Sequence, residues 1–343
     1  MRRELLYWPL MVAATMAVAA IGIEFMVRVG IDDGMQFDLE MWKYARDIKR
    51  VAADPLIGHE HRPNTRARLM GVDVAINSRG LRDREIPYER TPGTLRILML
   101  GDSFTEGWGV PVEETWSRRI ERLYAQRGMR AEAINAGVGN YNTVMEVNWF
   151  FAEGHKYRPD IVVLNTTFND AEPVPAYDKP NRLLGLCEAC AFLTGRADTL
   201  LREAALRPDW KAYYLGLYDA HSPGWIDARN AIARLADDTR AGNVALLVTS
   251  IPELHELSPY PLQSITAKVE AAARQSGAEF IDTLPALQAQ PPQSLWVGPT
   301  DPHPNVRAHA LIADALFAKL TAMKVGRGSE REAAPARAAG PER

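Results

Sequence analysis

Arg96-Ile97-Leu98-Met99-Leu100-Gly101-Asp102-Ser103-Phe104-Thr105-Glu106-Gly107 is the stretch on which the fold turns. Residues 96–100 make a short apolar run that reads as a buried strand, and Gly-Asp-Ser follows at once, a turn in which both Asp and Ser favour a helix start. A strand passing directly into a capped helix is the repeating unit of an α/β domain. The unit recurs downstream. Helical spacing covers 113–126, a second strand is predicted at 131–135 and a helix near 143–155, and Asp160-Ile161-Val162-Val163-Leu164 is rich enough in branched residues to be buried on both faces. The alternation resumes with a helix at 226–240, a strand at 244–249, a helix at 265–275, a strand at 279–282 and a last helix at 306–323. Five strands separated by helices predict a parallel, doubly wound sheet with helices on both faces.

Towards the N-terminus, residues 31–94 are mixed, with turn signals at Arg62-Pro63-Asn64, Asn77-Ser78-Arg79-Gly80 and Thr91-Pro92-Gly93, and read as a membrane-proximal collar. Ahead of them, Arg2 and Arg3 precede an uncharged run at 5–23. As a helix that run is about 28 Å long, close to the thickness of a bilayer's hydrocarbon core. Tyr7 and Trp8 suit the headgroup region at the basic end, and Glu24, Arg28, Asp32 and Asp33 follow at the other, which keeps the positive end inside. Residues 1–30 are therefore expected to be a single-pass anchor in the cytoplasmic membrane, with the body of the chain on the periplasmic side. A signal peptide ending near Ala17-Val18-Ala19 is the alternative, and it too exports the body. At the other end, 324–343 is rich in Gly, Ala, Pro, Glu and Arg without apolar periodicity and is expected to be disordered.

The 343 residues are 47% hydrophobic and 24% charged, ample for a core, and the net charge of -3 arises from 40 basic and 43 acidic residues. That balance supplies no basic stripe for phosphate backbones, so nucleic acid is excluded as a partner. Cys187 and Cys190 are the two cysteines, and no second pair completes a zinc site. A local loop staple or two reduced thiols is the expected state, with no metal and no other cofactor. Between 171 and 224 the pattern loosens into Pro, Gly and aromatic residues, which reads as an insertion over the functional edge of the sheet. Its Trp210, Tyr213, Tyr214 and Tyr218, with Trp225, are expected to line a sugar-binding cleft or form a hydrophobic cap.

Ser103 falls just past the carboxyl end of the first strand, where open α/β sheets bind ligands. Three further blocks occupy equivalent places: Asn135-Ala136-Gly137-Val138-Gly139-Asn140-Tyr141-Asn142, Thr167-Phe168-Asn169-Asp170, and Asp301-Pro302-His303-Pro304-Asn305 before the last helix. A serine hydroxyl needs a base to attack an acyl carbon at neutral pH, and His303 is the candidate, with Asp301 placed to hold its imidazole. The other six histidines are read as surface or structural, and Asp102 and Asp170 as helix caps or ties between loops.

On these blocks the sequence resembles the SGNH (GDSL-type) hydrolases over about 95–323. The collar motifs His61-Arg62-Pro63-Asn64 and Asn77-x-x-Gly80-x-Arg82-Asp83 look like those of membrane-anchored bacterial members found with cell-surface polysaccharide pathways. The resemblance implies a flavodoxin-like fold and an oxyanion hole built from Ser103, a backbone N–H of Gly139 or Asn140, and the Asn169 side chain. It departs from the family pattern at three points: Thr300 stands where the family's aspartate usually does, Asn140 where its second-block glycine does, and Thr167 where its third-block glycine does. It also implies hydrolysis or transfer of O-acyl groups, acetyl foremost, on an extracytoplasmic glycan, with surface-polysaccharide biosynthesis proteins as partners. A lipase or thioesterase for long acyl chains, and a catalytically silent assembly factor, are the alternatives.

Overall fold

In the computed structural model, which describes residues 4–175, 184–204, 206 and 209–323, the chain opens with helix α1 (Glu4–Met26), carried on by a π-helical turn to Ile31. The stretch Tyr7–Ile31 is long and apolar enough to cross a membrane, and almost none of it packs against the rest of the chain. Helix α2 (Phe37–Asp47) follows. Then come two antiparallel pairs, β1 (Lys49–Val51) with β2 (His59–His61) and β3 (Arg66–Leu69) with β4 (Val72–Ala75). Tyr44, Ile48, Leu69, Met70, Val74 and Ile76 bury together with Trp108, so the collar shares an apolar cluster with the loop after Ser103. Strands of three or four residues carry too few alternations to register as periodicity, which is why the sequence showed only turns here.

The sheet begins with β5 (Leu95–Gly101) and its short helix α3 (Ser103–Glu106), followed by α4 (Trp116–Gln126), β6 (Ala131–Gly137), α5 (Thr143–Ala152) and β7 (Ile161–Thr166). Helices α6 (Glu188–Glu203) and α7 (Trp210–Leu217) occupy the looser stretch, and α8 (Pro223–Ala241), β8 (Ala245–Ser250), α9 (Gln263–Gln275) and β9 (Glu279–Asp282) complete the alternation. A short helix α10 (Leu284–Leu287) and an antiparallel pair, β10 (Trp296–Gly298) and β11 (Asp301–Pro304), precede α11 (Val306–Ala322). The five long strands are parallel in the order β6-β5-β7-β8-β9, the flavodoxin-like 2-1-3-4-5 arrangement. Leu98, Leu100, Val162 and Leu164 point into one core beneath α5 and α8, while Ile97, Met99, Ile161 and Val163 point into the other beneath α4 and α11. Period-2 side chains buried on both faces are what a doubly wound sheet requires.

Boundaries differ from expectation for local reasons. The helix predicted from 113 starts at Trp116, because Val112–Glu114 is a 3-10 turn and Thr115 is extended. The helix predicted to 155 stops at Ala152 ahead of another 3-10 turn, and the one predicted from 226 begins at Pro223, a residue suited to a first helical turn. Cys187 and Cys190 are joined by a disulfide at the start of α6. The carboxylate of Glu24 on α1 accepts the N–H groups of Glu188 and Ala189 at 3.0 and 2.9 Å, tying that helix to the end of α1. The aromatic residues of the insertion divide instead of forming one cap. Tyr218 and Trp225 are in the core, and Tyr214 stacks edge-on against Phe168 with centroids 4.6 Å apart.

Candidate active site

The reversal of strand order lies between β5 and β7, and the crevice outside their carboxyl ends is where ligands bind in such sheets. Asp102 caps α3 by accepting the Phe104 N–H at 2.9 Å, which sets Ser103 as the first residue of that helix. His303 arrives from the other side of the fold on β11. Alternate residues of a strand share a face, so a spacing of two is enough to set Asp301 against the imidazole; a spacing of three is not needed. The His303 Nδ1–H donates to Asp301 Oδ1 at 2.6 Å, which leaves Nε2 to accept from the Ser103 hydroxyl at 2.9 Å. Asp301 also takes the His303 backbone N–H at 3.1 Å and, on its other oxygen, the Trp108 indole N–H at 2.9 Å.

Electrostatics agree with that geometry. Burial alone pulls the His303 imidazole down, but the charge and hydrogen bond of Asp301 outweigh it and hold His303 above its ordinary pKa. Burial pushes Asp301 up, yet the imidazole and three N–H donors bring it below the usual carboxylate range. Phe104 and Phe37 enclose the imidazole with ring centroids 5.1 and 5.6 Å away.

The second and third blocks meet the first at the same edge. Asn140 has φ 65°, the left-handed conformation that asparagine tolerates better than most residues, so it takes up the backbone its predicted glycine would have had. Gly139 was expected to share the oxyanion role with it. Its N–H is instead donated to the Tyr44 hydroxyl at 2.9 Å, and a Cβ there would stand 2.7 Å from the Tyr44 ring. The Asn140 N–H has no acceptor among the described residues. In the third block the Thr167 hydroxyl, in the family's glycine position, donates to Asn169 Oδ1 at 2.6 Å. Asp102 and Asp170 tie the loops together as expected: Asp102 lies 3.0 Å from Thr167 Oγ1, and Asp170 accepts from Thr143 at 2.7 Å.

Several residues at the site were not among the sequence-predicted site residues. Lys49 Nζ, from the first collar strand, donates to Gly139 O at 2.6 Å and Asn140 Oδ1 at 2.7 Å, and His59 Nε2 is 2.9 Å from the same carbonyl. Burial drives both His59 and His61 down to about 3, so they are neutral donors and acceptors here. The Tyr44 hydroxyl lies 2.6 Å from His61 Nε2 and 2.9 Å from Glu106 Oε2, and Arg82 grips the carbonyls of Glu106 and Val110 at 3.1 and 2.6 Å. His61 and Arg82 stood in the quoted collar motifs and Glu106 in the stretch around Ser103; Phe37, Tyr44, Lys49 and Trp108 stood in none. Of the other histidines, His309 is buried against Trp116, while His155 and His255 pair with Asp238 and Glu253.

A serine, an imidazole and a carboxylate in one hydrogen-bonded line at the carboxyl edge of an α/β sheet are the parts of a serine hydrolase. Residues 99–311 match the GDSL-like lipase/acylhydrolase family model, more than half of the chain. The chain belongs to that family and is a serine ester hydrolase of the SGNH type. No curated protein matches it. Among solved structures it is similar to the psychrotrophic esterase EstA from Pseudoalteromonas sp., with 16% identity over 66% of this chain and 96% of that one, TM-score 0.41. It is similar also to a catalytic mutant of Axe2, an acetylxylan esterase from Geobacillus stearothermophilus, with 14% identity over 67% and 95% of the chains, TM-score 0.45. LAE5, an α/β hydrolase from the metagenome of Lake Arreo, shows 16% identity over 69% and 99%, TM-score 0.45.

Proposed function

We propose that Ser103 is the nucleophile, His303 the general base and Asp301 the orienting carboxylate of an esterase acting on short O-acyl groups, acetyl foremost, of an extracytoplasmic glycan. The observation that carries the chemistry is the unbroken line from the Ser103 hydroxyl through His303 to Asp301, 2.9 and 2.6 Å long. As Ser103 Oγ attacks the acyl carbon, its proton passes to Nε2; the imidazolium is stabilised by Asp301 and then returns the proton to the departing sugar oxygen. The N–H groups of Ser103 and Asn140 and the Asn169 amide receive the oxyanion. Water then releases the acyl group, or a second hydroxyl takes it, through the same acyl-serine.

A catalytically silent assembly factor would have no need of a serine poised against an ion-paired imidazole. The rings of Phe37, Phe104 and Trp108 around His303 favour a small acyl group over a long chain. Extracytoplasmic placement is supported by the apolar reach of α1 and by the Cys187–Cys190 disulfide, a bond that persists outside the reducing cytoplasm. The glycan is supported by the resemblance of the collar motifs to those of polysaccharide-associated members. Full-length protein in detergent should release p-nitrophenol from its acetate, lose activity as the acyl chain lengthens, and take up a fluorophosphonate probe. Ser103→Ala should abolish both reactions, and unchanged turnover in that variant refutes the assignment.

A further inference from the structure

We propose that Lys49, a collar residue, is a positioning residue for the oxyanion side of the site, holding the peptide between Gly139 and Asn140 so that its N–H is aimed at the acyl oxygen. This rests on the reading of Ser103 and Asn140 given above. The Gly139 carbonyl and the Asn140 N–H belong to one planar unit and point in opposite directions. A clamp on the oxygen therefore sets the direction of the nitrogen. Lys49 Nζ sits 2.6 Å from that oxygen, with His59 Nε2 on it at 2.9 Å, and a second ammonium proton goes to the Asn140 side chain at 2.7 Å.

Orientation by itself does not call for a lysine. His59 already serves the carbonyl as a neutral donor, and an ammonium that is 3% exposed carries a heavy desolvation penalty. What the charge adds is polarisation: a cation bonded to the carbonyl end of a peptide strengthens the donor at its other end, more so in a site shielded from water. Burial draws the Lys49 ammonium down to about 7 and the Glu106 charge works against that fall, so the cation is held on the acid side of neutrality. Lys49 lies 4.6 Å above the Tyr44 ring, and Glu106 supplies the compensating carboxylate, itself bonded to Tyr44. Arg82, His59 and His61 are the other titratable groups around it, and the two histidines are neutral.

The test uses full-length protein in detergent, with kcat counted per serine titrated by a fluorophosphonate so that misfolded molecules drop out. Lys49→Met should lower kcat for p-nitrophenyl acetate about a hundredfold, the scale of losing one oxyanion donor, with KM within twofold. Binding of a trifluoromethyl ketone, which forms a tetrahedral alkoxide on the serine, should weaken by the same factor. Lys49→Gln, which keeps bulk and a donor without the charge, should fall between the two and supplies the reading if the methionine variant does not fold. A kcat per titrated site within threefold of the parent in the folded variant, or ketone binding left unchanged while kcat falls, overturns the proposal. Activity surviving in Ser103→Ala would instead remove the reading on which it rests.

Discussion

Replacing Asp301 by asparagine probes the site most sharply, because the structure leaves the amide no comfortable orientation. The two carboxylate oxygens receive three N–H groups, two from His303 and one from the Trp108 indole. An amide has one acceptor oxygen. If it faces Trp108, the NH₂ donates to His303 Nδ1, the ring proton moves to Nε2, and nothing is left to accept the Ser103 proton. If it faces His303, the NH₂ opposes the indole N–H at 2.9 Å. In either case the imidazolium formed during attack loses the charge 2.6 Å away. Losing the tautomer and the charge together should lower kcat/KM by on the order of 10⁴, or about 5 kcal/mol of transition-state stabilisation. The pH profile supplies a second, independent readout. His303 must be neutral to act as base, and in the parent its pKa is held above the ordinary 6.5 by Asp301 against the pull of burial. Activity should therefore rise with pH through a midpoint above 6.5 in the parent, and residual activity in the variant through a midpoint below it. Steady-state rates on p-nitrophenyl acetate from pH 5 to 9 measure both effects. Activity within tenfold of the parent with an unmoved acid limb would refute the orienting role.

Trp108→Phe removes the donor to Asp301 together with part of a buried ring, so kcat/KM should fall about tenfold, the scale of one hydrogen bond to a charged group, and the melting temperature should fall with it because a cavity is left in the cluster. Gly137→Ala would press a methyl into the backbone of α3, within 2.8 Å of Glu106 Cα, and should cost about 3 kcal/mol, read as a lower urea midpoint at constant slope. Burial and then the Asp102 charge push Asp170 up to about 8, and burial with both of these neighbours raises Glu146 well above its ordinary value. Such groups keep protons that the unfolded chain gives up near pH 4, so they stabilise the fold at low pH and that contribution is lost as pH rises through about 8. The double variant Asp170→Asn, Glu146→Gln should flatten the fall in melting temperature between pH 5 and 9; parallel curves would contradict the assignment.

The sheet was readable because its strands are buried on both faces. Ile97, Leu98, Ile161 and Val162 have no polar alternation to confuse with a surface strand, and each run ends in a glycine or polar turn. The four blocks were readable because a strand end fixes where a residue lies without knowledge of its neighbours. What stayed hidden depends on contacts between distant segments. Nothing in Tyr44 or Lys49 distinguishes them from a surface helix and its cap; their role appears only when α2 and β1 fold over the loop at Gly139. Gly139 itself misled for the same reason, since its N–H is free on paper and occupied by a hydroxyl from 95 residues earlier. The spacing of Asp301 looked unusual against the family's usual three residues; on a strand, where alternate residues share a face, two is the natural one.

The collar also carries an energetic argument about what the hydrolase needs in order to hold its shape. Glu106 is buried one turn after Ser103; its carboxylate takes the Gly139 N–H at 3.2 Å, and Tyr44, Lys49 and Arg82, which also act on it, come from residues 37–82. A buried carboxylate stripped of most of its partners costs several kcal/mol, so the collar, closed over it, stabilises the helix bearing the nucleophile. That closure also limits where the cleft can be. The helical run that starts in α1 ends at Ile31, and Phe37 already stacks on His303. Six residues of chain reach at most about 20 Å, so the imidazole cannot stand much farther than that from the end of the apolar helix. With α1 in a bilayer, as proposed above, the cleft would therefore meet its esters close to the membrane surface.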